Sequence, residues 1–369
     1  MSTVEVVDVD HRDSTLTFGV VVDGERVDAR IEATLPLVAD RADPALPVAL
    51  LAAMRRRRPL QVRGPVSPGL LAHLDRAQDV LTSFSAGLLA RTTVRAEPAP
   101  PASTGQGVAC FFSGGVDSFY SALQHADEVT HLVFVVGVDV FDPRSTRAAA
   151  GLEGARATAD ALGMQLVEVE TNVQVLTERF GTRPWCRGPA LGAVALALQP
   201  HFRRVLVPAS YTYADVFPWG LHPLLGPLWG TESLELDHDG LEATRVGKIR
   251  RIAASDVALA HLRVCNKQRA AVNCGRCRKC VGTILGLRLA GALERCPTLP
   301  HEVHARDVHR VRFDTPVRVG WSDGLEEARR VRDRPAQLAY AWALRPRPLL
   351  ALRASGARLR DRMRPRRRS

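Results

Sequence analysis

Two short stretches of this chain carry residue types at spacings suited to chemistry. The first is Ser113-Gly114-Gly115-Val116-Asp117-Ser118, set between the apolar run Val108–Phe112 and a segment patterned for a helix. Paired glycines after a strand let backbone N–H groups converge on an anion, and the following helix adds its positive N-terminal end. Ser113 and Ser118 supply hydroxyl donors. A carboxylate beside phosphates needs a cation, so Asp117 is assigned to Mg2+. The string lacks the Gly-Lys-Ser/Thr of a Walker loop and the spacing of the dinucleotide glycine fingerprint. The alternative is a plain strand–helix turn capped by Asp117 or Ser118.

The second stretch is a C-x8-C-x2-C-x2-C pattern formed by Cys265, Cys274, Cys277 and Cys280. In a reducing compartment this spacing argues for thiolate ligation of a metal and against disulfides. Four thiolates suit a closed, tetrahedral, structural zinc site, with Arg276, Arg278 and Lys279 offsetting the negative charge. An iron–sulfur cluster that uses Cys296-Pro297 competes with zinc. Zinc is favoured because Cys265 completes a compact knuckle without Cys296.

Three weaker signals accompany them. The loop Ser210–His222 offers Tyr211, Tyr213, Asp215, Trp219 and His222 as substrate contacts, since aromatic rings with a few polar groups suit a small polar molecule. An aromatic-packed loop without a ligand weighs evenly against that. Trp229, Glu232 and His238 rank lower, with His238 expected in a turn through Gly240. Lys248, Lys267 and Lys279 are the three lysines among 50 basic residues, and all lie near the cysteines. An ammonium is not readily replaced by arginine at phosphate, which nominates Lys248 for charge on a leaving pyrophosphate. Cys186, between Arg183 and Arg187, is a candidate sulfur carrier; a small buried side chain is the commoner role.

The elements that must position these residues read as follows. Residues 1–96 form a small α+β unit, with strands Thr15–Val22 and Arg26–Ala33 joined across Asp23-Gly24 and a helix capped by Ser67. Residues 97–106 read as a linker. From 107 to 296, apolar strands at Val108–Phe112, His131–Val138, Gln165–Glu170 and Arg204–Ala209 alternate with helices. That grain predicts an α/β doubly wound parallel sheet with ligands at the carboxyl ends of its strands. Residues 297–344 are a C-terminal extension with no legible site: Val303–Val319 is left as strands or a helix, and Leu325–Trp342 is helical.

The six-residue loop in its strand–helix setting resembles the pyrophosphate loop of the adenine nucleotide α-hydrolase superfamily, the PP-loop ATP pyrophosphatases. The resemblance implies a HUP-type sheet, cleavage of ATP to AMP and pyrophosphate, and adenine held by the backbone of the second strand, here Val136, Gly137 and Asp139. Loop and cysteine knuckle together are similar to 7-cyano-7-deazaguanine synthases over roughly residues 108–290. That implies adenylation of a small-molecule carboxylate or amide and attack by ammonia or another amine. Thr244 and Lys248 are the counterparts of that family's Thr-Lys segment. About a hundred residues precede the loop here, and the 210–222 loop departs from the family's substrate loop. Two further functions are carried as alternatives: ATP-dependent sulfur transfer through Cys186, as in tRNA thiolation, and nucleotide binding without turnover.

Composition narrows the classes. Apolar residues make up 46% and charged residues 24%, ordinary for a globular chain. The net charge of +11 is concentrated in the arginine-rich segment 345–369, which is read as a solvated, disordered end in preference to an arm on nucleic acid. No apolar run approaches the length needed to cross a bilayer, and the acidic start lacks the pattern of a signal peptide. A cytoplasmic protein without membrane contact is expected. The N-terminal unit is expected either to cover the site or to mediate a homodimer.

Overall fold

The computed structural model describes residues 3–345 apart from 101, 139–141, 183, 266, 268–271, 312 and 314–317. The first half contributes strands β1 (Val4–Arg12), β2 (Thr15–Val22), β3 (Glu25–Ala33), β4 (Leu60–Val66) and β5 (Val94–Pro98), with helices α1 (Leu46–Arg56) and α2 (Pro68–Phe84). Then come β6 (Gly107–Phe111), α3 (Val116–Gln124), β7 (His131–Val136), α4 (Thr146–Leu162), β8 (Gln165–Thr171), α5 (Gln174–Phe180), α6 (Arg187–Ala197) and β9 (Phe202–Pro208). The chain continues through β10 (Glu235–Asp239), α7 (Arg245–Ala253), α8 (Asp256–His261), α9 (Arg278–Leu289), α10 (Ala305–Arg310), α11 (Arg318–Arg330) and α12 (Arg334–Leu344).

All ten strands form one sheet in the order β10-β9-β6-β7-β8-β3-β2-β1-β4-β5. It is mostly parallel, with antiparallel pairing confined to β8–β3–β2–β1. The period of two divides the core between the faces. In β6, Ala109 and Phe111 pack with α1 and α6, whereas Val108 and Cys110 pack with α3, α4 and α7–α9. Helices on both faces explain why these strands read as continuous apolar runs. A third cluster, built around Trp321 and Tyr340, seats α11 and α12 on α9.

The N-terminal strands extend this sheet through Ile31↔Thr171 and Ala33↔Val169. The hairpin falls where Asp23-Gly24 predicts it, both residues having positive φ (51° and 83°) as a two-residue turn demands. Asp43 is buried beside Ser67 and Gln199, accepting from the Ser67 amide at 2.6 Å and the Gln199 amide at 3.3 Å. Glu232 accepts from the Ser67 hydroxyl and the Gly69 amide, so it anchors α2.

Two readings change. His238 lies inside β10, paired with Val207, and is not in a turn. The segment Leu325–Trp342 is two helices broken at Asp333, which caps α12 by accepting from the Ala336 amide.

Gly137 leaves β7 with φ +108°, and a Cβ there would lie 1.7 Å from the Thr171 carbonyl oxygen. Gly137→Ala should therefore cost about 3 kcal/mol or more in urea unfolding. Gly163→Ala, left-handed but with open space around it, should cost about 1 kcal/mol. Equal losses would show that the contact is not limiting. Burial lowers the His238 imidazole to about 4. The neutral form is thus the folded form, and the stability it contributes is complete above about 6.5 and lost as pH falls toward 4. Wild-type stability should drop about 2 kcal/mol more than that of His238→Gln between pH 7 and pH 5.

Candidate functional site

β6 lies between β9 and β7, so the chain winds outward from it in both directions. The crevice beyond the carboxyl ends of β6 and β9 is a topological switch point, where the loops that follow two adjacent strands diverge. The 113–118 loop leaves β6 there and Ser210 leaves β9. They meet, with the Ser210 hydroxyl donating to Asp117 Oδ2 at 3.1 Å.

The loop is held from within. Ser118 is buried, and its Oγ accepts from the Ser113 and Gly115 amides at 3.3 and 3.1 Å while donating to the Gly115 carbonyl at 3.1 Å. Gly114 takes the left-handed conformation at φ +72°, and its carbonyl accepts from the Arg263 amide at 2.7 Å. The first turn of α3 leaves amides without intrahelical acceptors at the mouth of the crevice. Asp117 starts that turn with Oδ1 2.7 Å from Arg245 Nη1 and 3.8 Å from Lys248 Nζ. Burial alone would raise its carboxyl. The charges of Arg245, Lys248 and Lys279, with the Ser210 hydrogen bond, hold it below the ordinary range instead.

A cleft of about 190 Å3 opens on this loop. Its lining combines apolar residues, Phe111, Val133, Val135, Val138, Val207 and Leu221, with five cations, Arg147, Arg187, Arg245, Arg263 and Lys279, and Asp117 is the one carboxylate lining it among the described residues. Arg263 also donates to the Ser113 carbonyl at 3.4 Å, and burial lowers its guanidinium to about 10. Such a lining is complementary to a molecule that carries both apolar surface and negative charge.

A second cavity of about 230 Å3 shares Asp117, Arg187, Ser210, Arg245 and Lys279 with the first. The rest of its lining includes Tyr211, Asp215 and Trp219 from the loop after β9, Arg278 from α9, and Trp321, Asp323 and Tyr340. The last three belong to α11 and α12, in which no site was legible. Their signal was faint, a Trp and an Asp two residues apart on a helix.

The residues nominated from sequence divide. Ser113, Gly115, Val116, Asp117 and Ser118 line the first cleft, and Tyr211, Asp215 and Trp219 line the second. The rings of Tyr211, Phe217 and Trp219 pack together at 5.0–5.6 Å. Tyr213 is 69% exposed and lines neither cavity. His222 is buried edge-on against Phe84 of α2, accepting from the Leu224 amide through Nδ1. Val136 and Gly137 face away, toward Arg30 and Glu170, and the neighbouring strand residues Val133–Val135 line the cleft in their place. Asp139 lies outside the described residues. Lys248 is buried beneath Asp117, donating to the Ala209 carbonyl at 2.5 Å, and lines neither cavity. Cys186 is buried at the head of α6 and lines neither cavity, although the adjacent Arg187 lines both, and Trp229 is a core residue.

Cys265, Cys274, Cys277 and Cys280 converge, with their sulfurs all within 4.8 Å of one another. Individual Sγ separations are 3.5 Å for Cys277–Cys280 and 3.9 Å for Cys265–Cys277 and Cys274–Cys280. Thiolates at about 2.3 Å from a tetrahedral zinc would be separated by about 3.8 Å, so the group fits a metal such as zinc. Amides of Lys267 and Cys277 donate to the sulfurs of Cys265 and Cys274 at 3.3 Å, the outer-shell support a thiolate site uses. Cys296 stays outside the group, its sulfur 3.5 Å from the Thr298 hydroxyl. Asn273, unremarked in the sequence, pins the knuckle by accepting from the amides of Val264 and Cys265 and donating to the carbonyls of Leu262 and Thr298.

The chain matches no family model, no curated protein and no solved structure. No helix among the described residues is long and apolar enough to cross a membrane.

The knuckle is part of the cleft wall, since Val264, Cys265 and Lys279 line the cleft. Elemental analysis should find about one zinc per chain, falling well below that in Cys277→Ser. Chelation should lower the unfolding midpoint by at least about 5 °C, restored by added zinc. A midpoint indifferent to chelator, in protein free of metal, would reject the metal centre.

Proposed function

We propose that the chain binds ATP with Mg2+ in the cationic cleft and splits it into AMP and pyrophosphate to activate a small molecule held in the second cavity. The observation that carries this reading is the shared wall. One carboxylate and three cations, Arg187, Arg245 and Lys279, border both cavities where they meet. A triphosphate in the first would bring its α-phosphate to that wall, within reach of an oxygen in the second. The sheet is then of the HUP type, and the likeness of the Ser113–Ser118 loop to PP-loop ATP pyrophosphatases supports the same conclusion.

In this mechanism the free amides of the first turn of α3 and the Ser113 hydroxyl bind phosphate oxygens. Asp117, kept ionised by its neighbours, is the group that would hold Mg2+, which when bound supplies neutralisation of the phosphate charge. A substrate carboxylate or amide oxygen forms a bond to the α-phosphorus, and the bond to the departing pyrophosphate breaks. Arg187, Arg245 and Lys279 stabilise the charge on that leaving group. The buried Lys248 assists through Asp117 and the Ala209 carbonyl, in place of the direct contact expected of it. A nitrogen nucleophile then adds to the carbon of an activated carboxylate and AMP leaves with loss of a proton, giving an amide; an amide oxygen activated by a second ATP would instead lose AMP and a proton, giving the nitrile. The combination of loop and four-cysteine knuckle favours a synthase of the 7-cyano-7-deazaguanine kind, with zinc as a structural ion.

The test mixes the protein with ATP, Mg2+, ammonium and 7-carboxy-7-deazaguanine and measures AMP and the modified base. AMP release should fall at least about a hundredfold in Asp117→Asn. AMP without a modified base would retain the ATP chemistry and reject this acceptor. AMP release unchanged by Asp117→Asn would reject the assigned cleft.

A further inference from the structure

The second cavity is lined by charges of both signs. At the wall shared with the nucleotide cleft stand Arg187, Arg245 and Lys279. On the remaining walls stand Asp215, on the loop after β9, Asp323, on α11, and one further cation, Arg278, at the start of α9. Asp215 accepts from the Thr212 hydroxyl at 2.6 Å. Asp323, half-buried, receives no hydrogen bond and pairs with no cation among the described residues. Burial and the charges of Asp215 and Glu326 raise its carboxyl above the ordinary range. A carboxylate without a partner cation, beside a second carboxylate, is a complementary surface for a positive group.

The walls support the same chemistry. Trp219 and Tyr211 stand on one side, and Trp321 and Tyr340, 5.4 Å apart edge to face, on the other. Aromatic faces attract organic cations. The cavity volume, about 230 Å3, far exceeds the roughly 30 Å3 that a molecule the size of water or ammonia occupies. An ammonia pocket would need neither this space nor these rings.

We infer that the second cavity takes a small molecule bearing a carboxylate or amide at one end and a cationic nitrogen, ammonium or guanidinium, at the other. The cationic end lies between Asp215 and Asp323, and the acyl end faces Arg187 and Lys279. Which end reacts rests on the nucleotide reading; the polarity of the pocket does not. The C-terminal helices thereby become the element that selects the substrate.

The test is calorimetric titration of the full chain with three probes of equal length: 6-aminohexanoate, hexanoate and adipate. 6-Aminohexanoate should bind at least about tenfold more tightly than hexanoate, with adipate weakest. Asp323→Asn and Asp215→Asn should each erase most of that preference, and Asp323→Glu, which keeps the charge, should retain it. Equal binding of the three probes, preference for adipate, no binding of any probe up to about 10 mM, or a preference that survives Asp323→Asn would overturn the assignment. ATP titration of the wild-type chain separates the two proposals. ATP binding without probe preference defeats this inference alone, and probe preference without ATP binding defeats the nucleotide reading alone.

Discussion

Asp117 sets the constraint around which the crevice is arranged. A carboxylate partly withdrawn from water at the start of a helix must be matched by positive charge and hydrogen bonds. Here the match comes from two distant parts of the chain: Ser210 at the exit of β9, and the start of α7, with Arg245 and, one turn further on, Lys248. Thr244 caps α7 by accepting from the Gly247 amide, which fixes the helix end that presents Arg245. Lys248 is buried against Tyr120 and the Ala209 carbonyl, so its charge is bound to this arrangement. One carboxylate thereby fixes the spacing of β6, β9 and α7, and the two cavities lie on either side of it.

The cysteine knuckle continues that logic. Arg263 joins its backbone amide to the Gly114 carbonyl just before Cys265, so the glycine loop and the knuckle are parts of one hydrogen-bonded surface. Arg147 from α4 donates to the carbonyls of Cys265 and Lys267 and borders the cleft as well. A metal held by the four sulfurs would therefore brace a wall of the cleft, although a closed four-thiolate site offers no position for catalysis.

Both flanking regions gain their meaning from packing. The N-terminal strands add to the sheet edge at β8 and share one apolar core with α6, so they extend the central layer. The C-terminal helices rest on α9 through Trp321 and Tyr340, the residues that also wall the second cavity. Packing and cavity use the same side chains there, which is why no site was legible in these helices from sequence.

Local signals were sufficient for much of this. Strand and helix periodicity located β6–β9, α4 and the capped start of α2, because alternation and capping act over a few residues. The glycine loop and the cysteine spacing were equally legible, since anion binding by paired glycines and thiolate ligation are also short-range chemistry. What the sequence could not order were the long-range contacts. It placed Lys248 at phosphate, whereas the fold buries that lysine and brings Arg187, Arg245, Arg263 and Lys279 to the cleft. It grouped His222 and Tyr213 with Asp215, but the loop turns His222 onto Phe84 of α2 and leaves Tyr213 in solvent. It was silent on Asp323, whose neighbour Asp215 is more than a hundred residues away in sequence. Chemistry set by adjacent residues is written in the chain, whereas charge balance and cavity walls depend on which distant side chains the sheet and its helices bring together.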